Sequence, residues 1–404
     1  MARTALISGA GVSGPTLAYW LAKGGWHVTV VERAESLRLG GQNIDLTDAA
    51  RDVVERMGLT GEIAARHTGE RGLQFVDTRN EATAEFPVEA EGSLTREIEI
   101  LRGELVDILV GATPDTVTYR FGTTITGLDD DGEAVDVTFD DGSTGRFDVV
   151  IAADGMNSDT RARIIGEGGH EDYLGCWSSY FTVPRLERDN GWWRWYTSPN
   201  GIVAFLRPDN QGMMRASVNF LSDESDPPHM TLADKKERLR TRLDGAGWEA
   251  DRLREALADV DDIFLGPLHQ IKADRWSNGR CGLAGDAAHC PTPYTGMGTT
   301  LAVIGAYVLA GELTRHDDPR AAFAAYEERF KPFATEAQKL PPGVPALAYA
   351  QSRFKVRLIN LGAGVAASAP VQAFAALFDG GSGDDENRFD LPEYDWSASA
   401  HRAA

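Results

Sequence analysis

Residues 5–33 read ALISGAGVSGPTLAYWLAKGGWHVTVVER, and this stretch decides how the rest of the chain is read. Ala5-Leu6-Ile7-Ser8 is a short apolar run of the kind that forms a strand buried on both faces. Gly9, Gly11 and Gly14 follow at G-x-G-x-x-G spacing, with Pro15 directly behind. Pro15 suits the first turn of a helix, where its missing N–H would have had no intrahelical partner. The pattern predicts a helix from Thr16 to Lys23 that stops at Gly24-Gly25. A second apolar strand, His27 to Val31, then ends in Glu32.

Strand, glycine loop, helix, strand and terminal acid together make a dinucleotide-binding unit of Rossmann type. Gly9 permits the tight turn, Gly11 lets the backbone approach a pyrophosphate, and Gly14 allows close helix–strand packing. The pyrophosphate then sits on a helix N-terminus, where free N–H groups and about half a positive charge await an anion. Glu32 is placed to accept both ribose hydroxyls, and a carboxylate there disfavours a 2′-phosphate. The resident ligand is therefore NAD or FAD rather than NADP.

At 404 residues the chain has room for two domains or three. A formal charge of −21 argues against nucleic acid and anionic membrane as partners. No apolar run approaches the roughly 20 residues of a membrane span. The N-terminus enters a strand almost at once, leaving no room for a signal peptide, so a cytoplasmic location is expected. Cys176, Cys281 and Cys290 are odd in number and lack C-x-x-C spacing, which indicates neither a disulfide framework nor a zinc site.

Further along, residues 40–59 read as a glycine loop and a helix capped by Thr47 and closed at Gly58. Residues 73–100 look strand-like, and Arg102 opens a helix running from Gly103 to Val110. A meander is expected over 117–147, turning at Asp141-Gly142. Residues 176–222, rich in tryptophan, read as a separate antiparallel sheet, and 231–259 as a charged, helical stretch. Helices follow from Thr299 to Leu313 and from Pro319 to about Lys339. Pro341-Pro342 forms a hinge, Ala346 to Phe378 reads as one long C-terminal helix, and the acidic, glycine-rich tail after it as mobile.

Two more motifs share the chain with the fingerprint. One is Ala153-Asp154-Gly155-Met156-Asn157-Ser158 with Arg161. The other is Gly285-Asp286-Ala287-Ala288-His289, followed by Pro293 and Gly296-Met297-Gly298. In this order the three resemble the FAD-dependent aromatic hydroxylases, single-component flavoprotein monooxygenases of the p-hydroxybenzoate hydroxylase fold, over residues 3 to about 340. Ala152 departs from that pattern, which has a glycine there.

The resemblance implies an α/β protein: a Rossmann-type FAD domain, a second α+β substrate domain carrying an antiparallel sheet, and a long C-terminal helix. The FAD domain is expected from residues 1–75, 97–172 and 275–340, and the substrate domain from 76–96 and 173–274. Residues 341–378 form the bridging helix and 379–404 the tail. Asp286 would meet the FAD ribityl chain, Asp154 the pyrophosphate region, and Arg102 the cofactor. Gly296, Met297 and Gly298 would open a helix towards the flavin pyrimidine edge. Within this group the chain is most similar to the tetracycline-inactivating monooxygenases. Arg38 and Asp45 fall seven apart around a Gly-Gly pair as in those enzymes, although the pair, Gly40-Gly41, sits one residue earlier here; there the arginine is linked to nicotinamide and the aspartate to FAD. The same likeness gives Arg194 and Arg215 to substrate. Trp193 and Trp195 alternate along one strand and so share a face, lining an aromatic pocket or the core.

The implied reaction is NAD(P)H- and O2-dependent hydroxylation, by a flavin C4a-hydroperoxide, of an aromatic or polycyclic molecule such as a polyketide or antibiotic. The flavin carries the chemistry, so no catalytic side chain and no metal are expected, and a monomer is. His289 and Cys290 read as packing residues. Only one dinucleotide fingerprint is present, so the nicotinamide must dock transiently. Arg33 or Arg38 beside it favours NADPH over NADH. Three alternatives share these motifs: Baeyer–Villiger oxygen insertion, a flavoprotein that sequesters an aromatic ligand, and a flavin-dependent halogenase. The last needs a lysine near the flavin, and the chain has none between Lys23 and Lys235.

Overall fold

The computed structural model of the chain describes residues 2–38, 40–88, 99–341, 343–368 and 388–396. Thr4–Ser8 lies at the centre of a parallel sheet, between Val149–Ala152 and His27–Glu32. Cys281–Leu283 extends one flank and Val117–Phe121 the other, while Ser277–Asn278 turns back antiparallel at the edge. Val149–Ala152 is buried along its whole length, as an apolar strand in the middle of a sheet covered on both faces must be. Ser13–Lys23 packs on this sheet, starting three residues before the expected Thr16. Against it lies Gly298–Arg315, whose Tyr307 meets Trp20 edge to face at 4.9 Å between ring centroids.

Val117–Phe121, expected in the meander, instead pairs in parallel with His27–Glu32. Its partly buried pattern suits either partner, and only the open edge of the first sheet selects one. The meander proper is Ile125–Asp130, Val135–Phe139 and Thr144–Phe147, turning through Gly142 at φ +79°.

The second sheet has seven strands, in the order Phe264–Ala273, Gly169–Pro184, Met213–Leu221, Ile202–Pro208, Trp193–Thr197, Gly72–Val76 and Ala82–Pro87. All neighbours are antiparallel except Trp193–Thr197 with Gly72–Val76. Residues 72–75, expected on the cofactor side, therefore belong to this sheet, as do 169–172. Alternation marks a strand but carries no information about which sheet will accept it. Leu232–Leu243, capped by a reciprocal Thr231–Asp234 box, and Ala250–Ala256 bury Leu239 and Leu253 against the outer face with Trp177 and Phe220.

The C-terminal region departs from expectation twice. The helix spans Arg353–Ser368, preceded by a 3-10 turn at Ala346–Ala348, and residues 369–378 lie outside the described ones. Of the tail expected to be mobile, residues 388–396 pack on the first core. Phe389, Leu391, Tyr394 and Trp396 contact it, and Trp396 tilts against Trp20 at 4.7 Å. Burial of these large side chains against the core offsets the loss of chain entropy in the packed stretch.

Candidate functional site

The inner face of the seven-stranded sheet and the loops that follow the strands of the parallel sheet line a cavity of about 1890 Å³. Drug-sized ligands occupy pockets of roughly 300–1,000 Å³, so this one has room for a cofactor and a second molecule.

The glycine fingerprint forms one end. Gly9 sits at φ +108°, and a Cβ there would lie 2.5 Å from the Ala153 carbonyl oxygen. A Cβ on Gly14 would lie 1.9 Å from the Gly9 carbonyl oxygen, so neither position admits a side chain. Gly11 is different in kind: it borders the cavity, and a Cβ would lie 3.2 Å from Arg102 Nη2. The helix Ser13–Lys23 starts at this loop. The buried Ser13 hydroxyl, which also borders the cavity, has no hydrogen-bond partner among the described residues. Glu32 is held against the loop, its Oε2 accepting from Ala10 N and its Oε1 from Ala34 N, each at 2.9 Å. Asp154 accepts from the Ser8 and Ser158 hydroxyls beside the same loop. Arg33 is exposed and does not border the cavity, whereas exposed Arg38 stands at its rim.

Asp286 opens the short helix Asp286–His289 and faces the cavity. Water reaches it from the cavity side, but protein encloses the rest. Burial pushes its carboxyl up, and the Arg102 guanidinium partly offsets this. Gly296, in the left-handed region at φ +65°, turns the chain after Pro293–Thr295 so that Gly298–Arg315 points its N-terminus into the cavity. Pro293, Met297 and Asp45 border it too. An anion-ready helix start without Cβ atoms, an orphaned hydroxyl, a second helix N-terminus and a cavity-facing carboxylate are the donor and acceptor set that FAD requires. Its neighbours His289 and Cys290 are buried. The His289 imidazole packs on Trp276 and Phe330, and burial pushes it down to about 4, so it stays neutral.

The opposite wall is the inner face of the seven-stranded sheet, and its register sorts side chains into three bands. In the first, Thr182, Arg215 and Arg207 are cross-strand neighbours, and Arg207 stacks on Trp193 at 4.3 Å. In the second, Phe205, Trp195 and Phe75 are successive cross-strand partners, with Tyr180 on Phe205 at 6.4 Å and on Phe264 at 6.0 Å. In the third, Ser178 donates to Asn219 Oδ1 at 2.6 Å, and Asn219 neighbours Val203, which neighbours Thr197. An aromatic platform thus lies between a charged edge and a neutral polar edge.

Trp193 and Trp195 both face the cavity, but Arg194 between them points the other way. It is fully buried and paired with Asp189 and Glu249, so the substrate contact expected of it is not made. The two-residue period that turns the tryptophans inward turns Arg194 outward. Arg215 does border the cavity, held by Asp209 at 3.0 Å, Gln211 and Thr182.

Arg207 belongs to no motif, yet its alternation with Val203 and Phe205 puts it on the same face. It is buried against Glu70, through Nε and Nη2 at 3.0 and 3.2 Å, and against Glu99. Glu99 also accepts from the Thr68 hydroxyl, and Asp45 lies opposite Glu99 in the strand pair Asn43–Asp45 and Glu99–Leu101. Burial first, and the Glu99 charge next against the attraction of Arg207, push Glu70 up to about 8.

Residues 2–340 match the protein family described as FAD binding domain. An uncharacterised Mycobacterium tuberculosis protein is 36% identical over 353 residues, covering 85% of this chain and 95% of that one. The FAD-dependent monooxygenase asL4 of Sarocladium schorii is 33% identical over 363 residues, covering 82% and 84%. The crystal structure of the tetracycline destructase Tet(51) superposes with a TM-score of 0.79 at 28% identity, covering 98% of this chain and all of that one.

Proposed function

The chain belongs to the FAD-binding-domain family and is a FAD-dependent monooxygenase, and on that premise we propose that it hydroxylates an oxygenated polycyclic aromatic molecule with NAD(P)H and dioxygen. The observation that carries this reading is the banded wall: an aromatic platform with a charged edge and a neutral polar edge suits a flat ligand oxygenated along both margins. The name tetracycline destructase, borne by a structural relative, supports the same class.

Bound FAD supplies the activation of dioxygen, and the protein's own groups bind, orient and exclude water. The loop Gly9–Gly14 and the first N–H groups of Ser13–Lys23 take the pyrophosphate. Glu32 accepts from ribose hydroxyls, and Asp286 from a ribityl hydroxyl. Arg102, beside Gly11, adds a positive charge near the phosphates, and Asp45 and Asp154 border the same cofactor. The N-terminus of Gly298–Arg315, which opens on the cavity, would meet the flavin's pyrimidine edge and stabilise negative charge there by its dipole. Trp195, Phe205 and Phe75 stack on the substrate plane, while Ser178 and Asn219 hydrogen-bond one margin and Arg215 the other. Arg38, at the rim, meets the transient nicotinamide, NADPH in preference to NADH.

The test is a panel of aromatic compounds screened for acceleration of NADPH oxidation by the yellow, FAD-loaded protein. Products are weighed by mass spectrometry for one added oxygen atom. Trp195→Ala and Phe205→Ala should each weaken the accelerating compound's perturbation of the flavin spectrum at least tenfold, since stacking partners contribute roughly 1 kcal/mol beyond area. Unchanged binding in both variants overturns the assignment of this wall to substrate.

A further inference from the structure

The C-terminal helix Arg353–Ser368 has its apolar stripe on the wrong side for a helix that serves only to brace a core. Its inner side packs on the seven-stranded sheet, where Ala363 joins Leu73, Ala84 and Phe86. Phe354, Leu358 and Leu361, at the i, i+4, i+7 spacing of a single stripe, are 76%, 59% and 65% exposed. Leu347, in the turn before the helix, is 67% exposed, and it and Leu358 also border the cavity. At 100° per residue, Arg353 and Arg357 flank the stripe on one side and Lys355 on the other, and all three are exposed.

Charge along the chain singles out the same segment. Between Glu336 and Asp379 the sequence contains no aspartate or glutamate, while it holds Lys339, Arg353, Lys355 and Arg357. The formal charge of −21 is therefore carried elsewhere. Screening over about 10 Å at ordinary ionic strength lets such a local patch act independently of the average.

We propose that Arg353–Ser368 is an interfacial helix that docks on an anionic lipid surface, with Phe354 and Leu361 entering the headgroup boundary and Arg353, Lys355 and Arg357 meeting lipid phosphates. Exposed apolar residues flanked by cations are what the water–lipid boundary rewards. Among the described residues no helix is long and apolar enough to cross a membrane, so the contact lies on the surface. It also brings the apolar rim formed by Leu347 and Leu358 next to the lipid. The docking does not depend on the identity of the substrate.

The full-length, FAD-loaded protein is sedimented with vesicles of phosphatidylcholine and phosphatidylglycerol in equal parts, and with phosphatidylcholine alone. Binding is expected on the anionic vesicles only. Arg353→Gln with Arg357→Gln should weaken it about thirtyfold, the loss of two cations at the surface. Phe354→Ser with Leu361→Ser should abolish it, and both variants should keep the flavin absorbance of the parent. Absence of binding to anionic vesicles, or equal binding by parent and variants, overturns the proposal. So does a parent dimer in size-exclusion chromatography that Phe354→Ser with Leu361→Ser converts to monomer, which would give the stripe to a second copy.

Discussion

Replacing Glu70 by glutamine should change how stability responds to pH while leaving the fold intact. In the folded protein the Glu70 carboxyl, buried beside Arg207 and Glu99, is pushed up from 4.5 to about 8. In the unfolded chain it returns to the ordinary range near 4.3. Between these values the folded state holds a proton that the unfolded state has released, so stability falls as pH rises across this window. The burden is fully absent below the unfolded value and complete above about pH 8. Integrated over the interval it amounts to on the order of 5 kcal/mol, at about 1.4 kcal/mol for each tenfold change in proton concentration. Glutamine matches the protonated form in size and cannot release that proton. Urea midpoints measured at about pH 5 and about pH 9 should therefore diverge in the parent and lie much closer together in Glu70→Gln. The flavin spectrum, recorded alongside, confirms that the cofactor stays bound. An equal drop in parent and variant would refute the reasoning and show that Glu70 is ionised throughout, with Arg207 neutralised by it.

Other outcomes follow from the same geometry. Asp286→Ala should weaken FAD retention on gel filtration more than Asp45→Ala, because a cavity-facing carboxylate at a helix start is lost; equal retention in both would reverse the assignment. Arg38→Ala should raise the KM for NADPH about tenfold or more with FAD content unchanged, as a charge-assisted phosphate contact is worth roughly 1.5–3 kcal/mol. Arg194→Met should lower stability by roughly 3–5 kcal/mol by leaving Asp189 and Glu249 buried with one cation fewer. The affinity of the folded variant for the accelerating aromatic compound should stay unaltered, and a selective loss of that affinity would restore Arg194 to the substrate wall.

The fingerprint was legible from residues 5–33 alone because each of its requirements is local. A left-handed turn at Gly9, the close approach of Gly14 to the Gly9 carbonyl, a helix start and a strand-ending acid are all written in residues close in sequence. The same holds for Gly285-Asp286 and for the helix opened at Gly298. Which wall of the cavity a side chain joins is not local. Val117–Phe121 and Gly72–Val76 are recognisable strands, yet only assembly shows that one completes the parallel sheet and the other sits beside Trp193–Thr197. Arg194 and Arg207 look alike as strand arginines. Strand phase and cross-strand register turn the first into an internal ion pair and stack the second on Trp193 at the cavity. Glu70, Glu99 and Asp45 come from separate segments, so their competition for one guanidinium exists only once those segments meet. The packed stretch 388–396 makes the same point at the other end of the chain. Composition reads its approach as mobile, but the aromatic surface that receives Tyr394 and Trp396 is built by the helices Ser13–Lys23 and Gly298–Arg315, far away in sequence. Local chemistry marked a dinucleotide site, and long-range register built the wall that faces it.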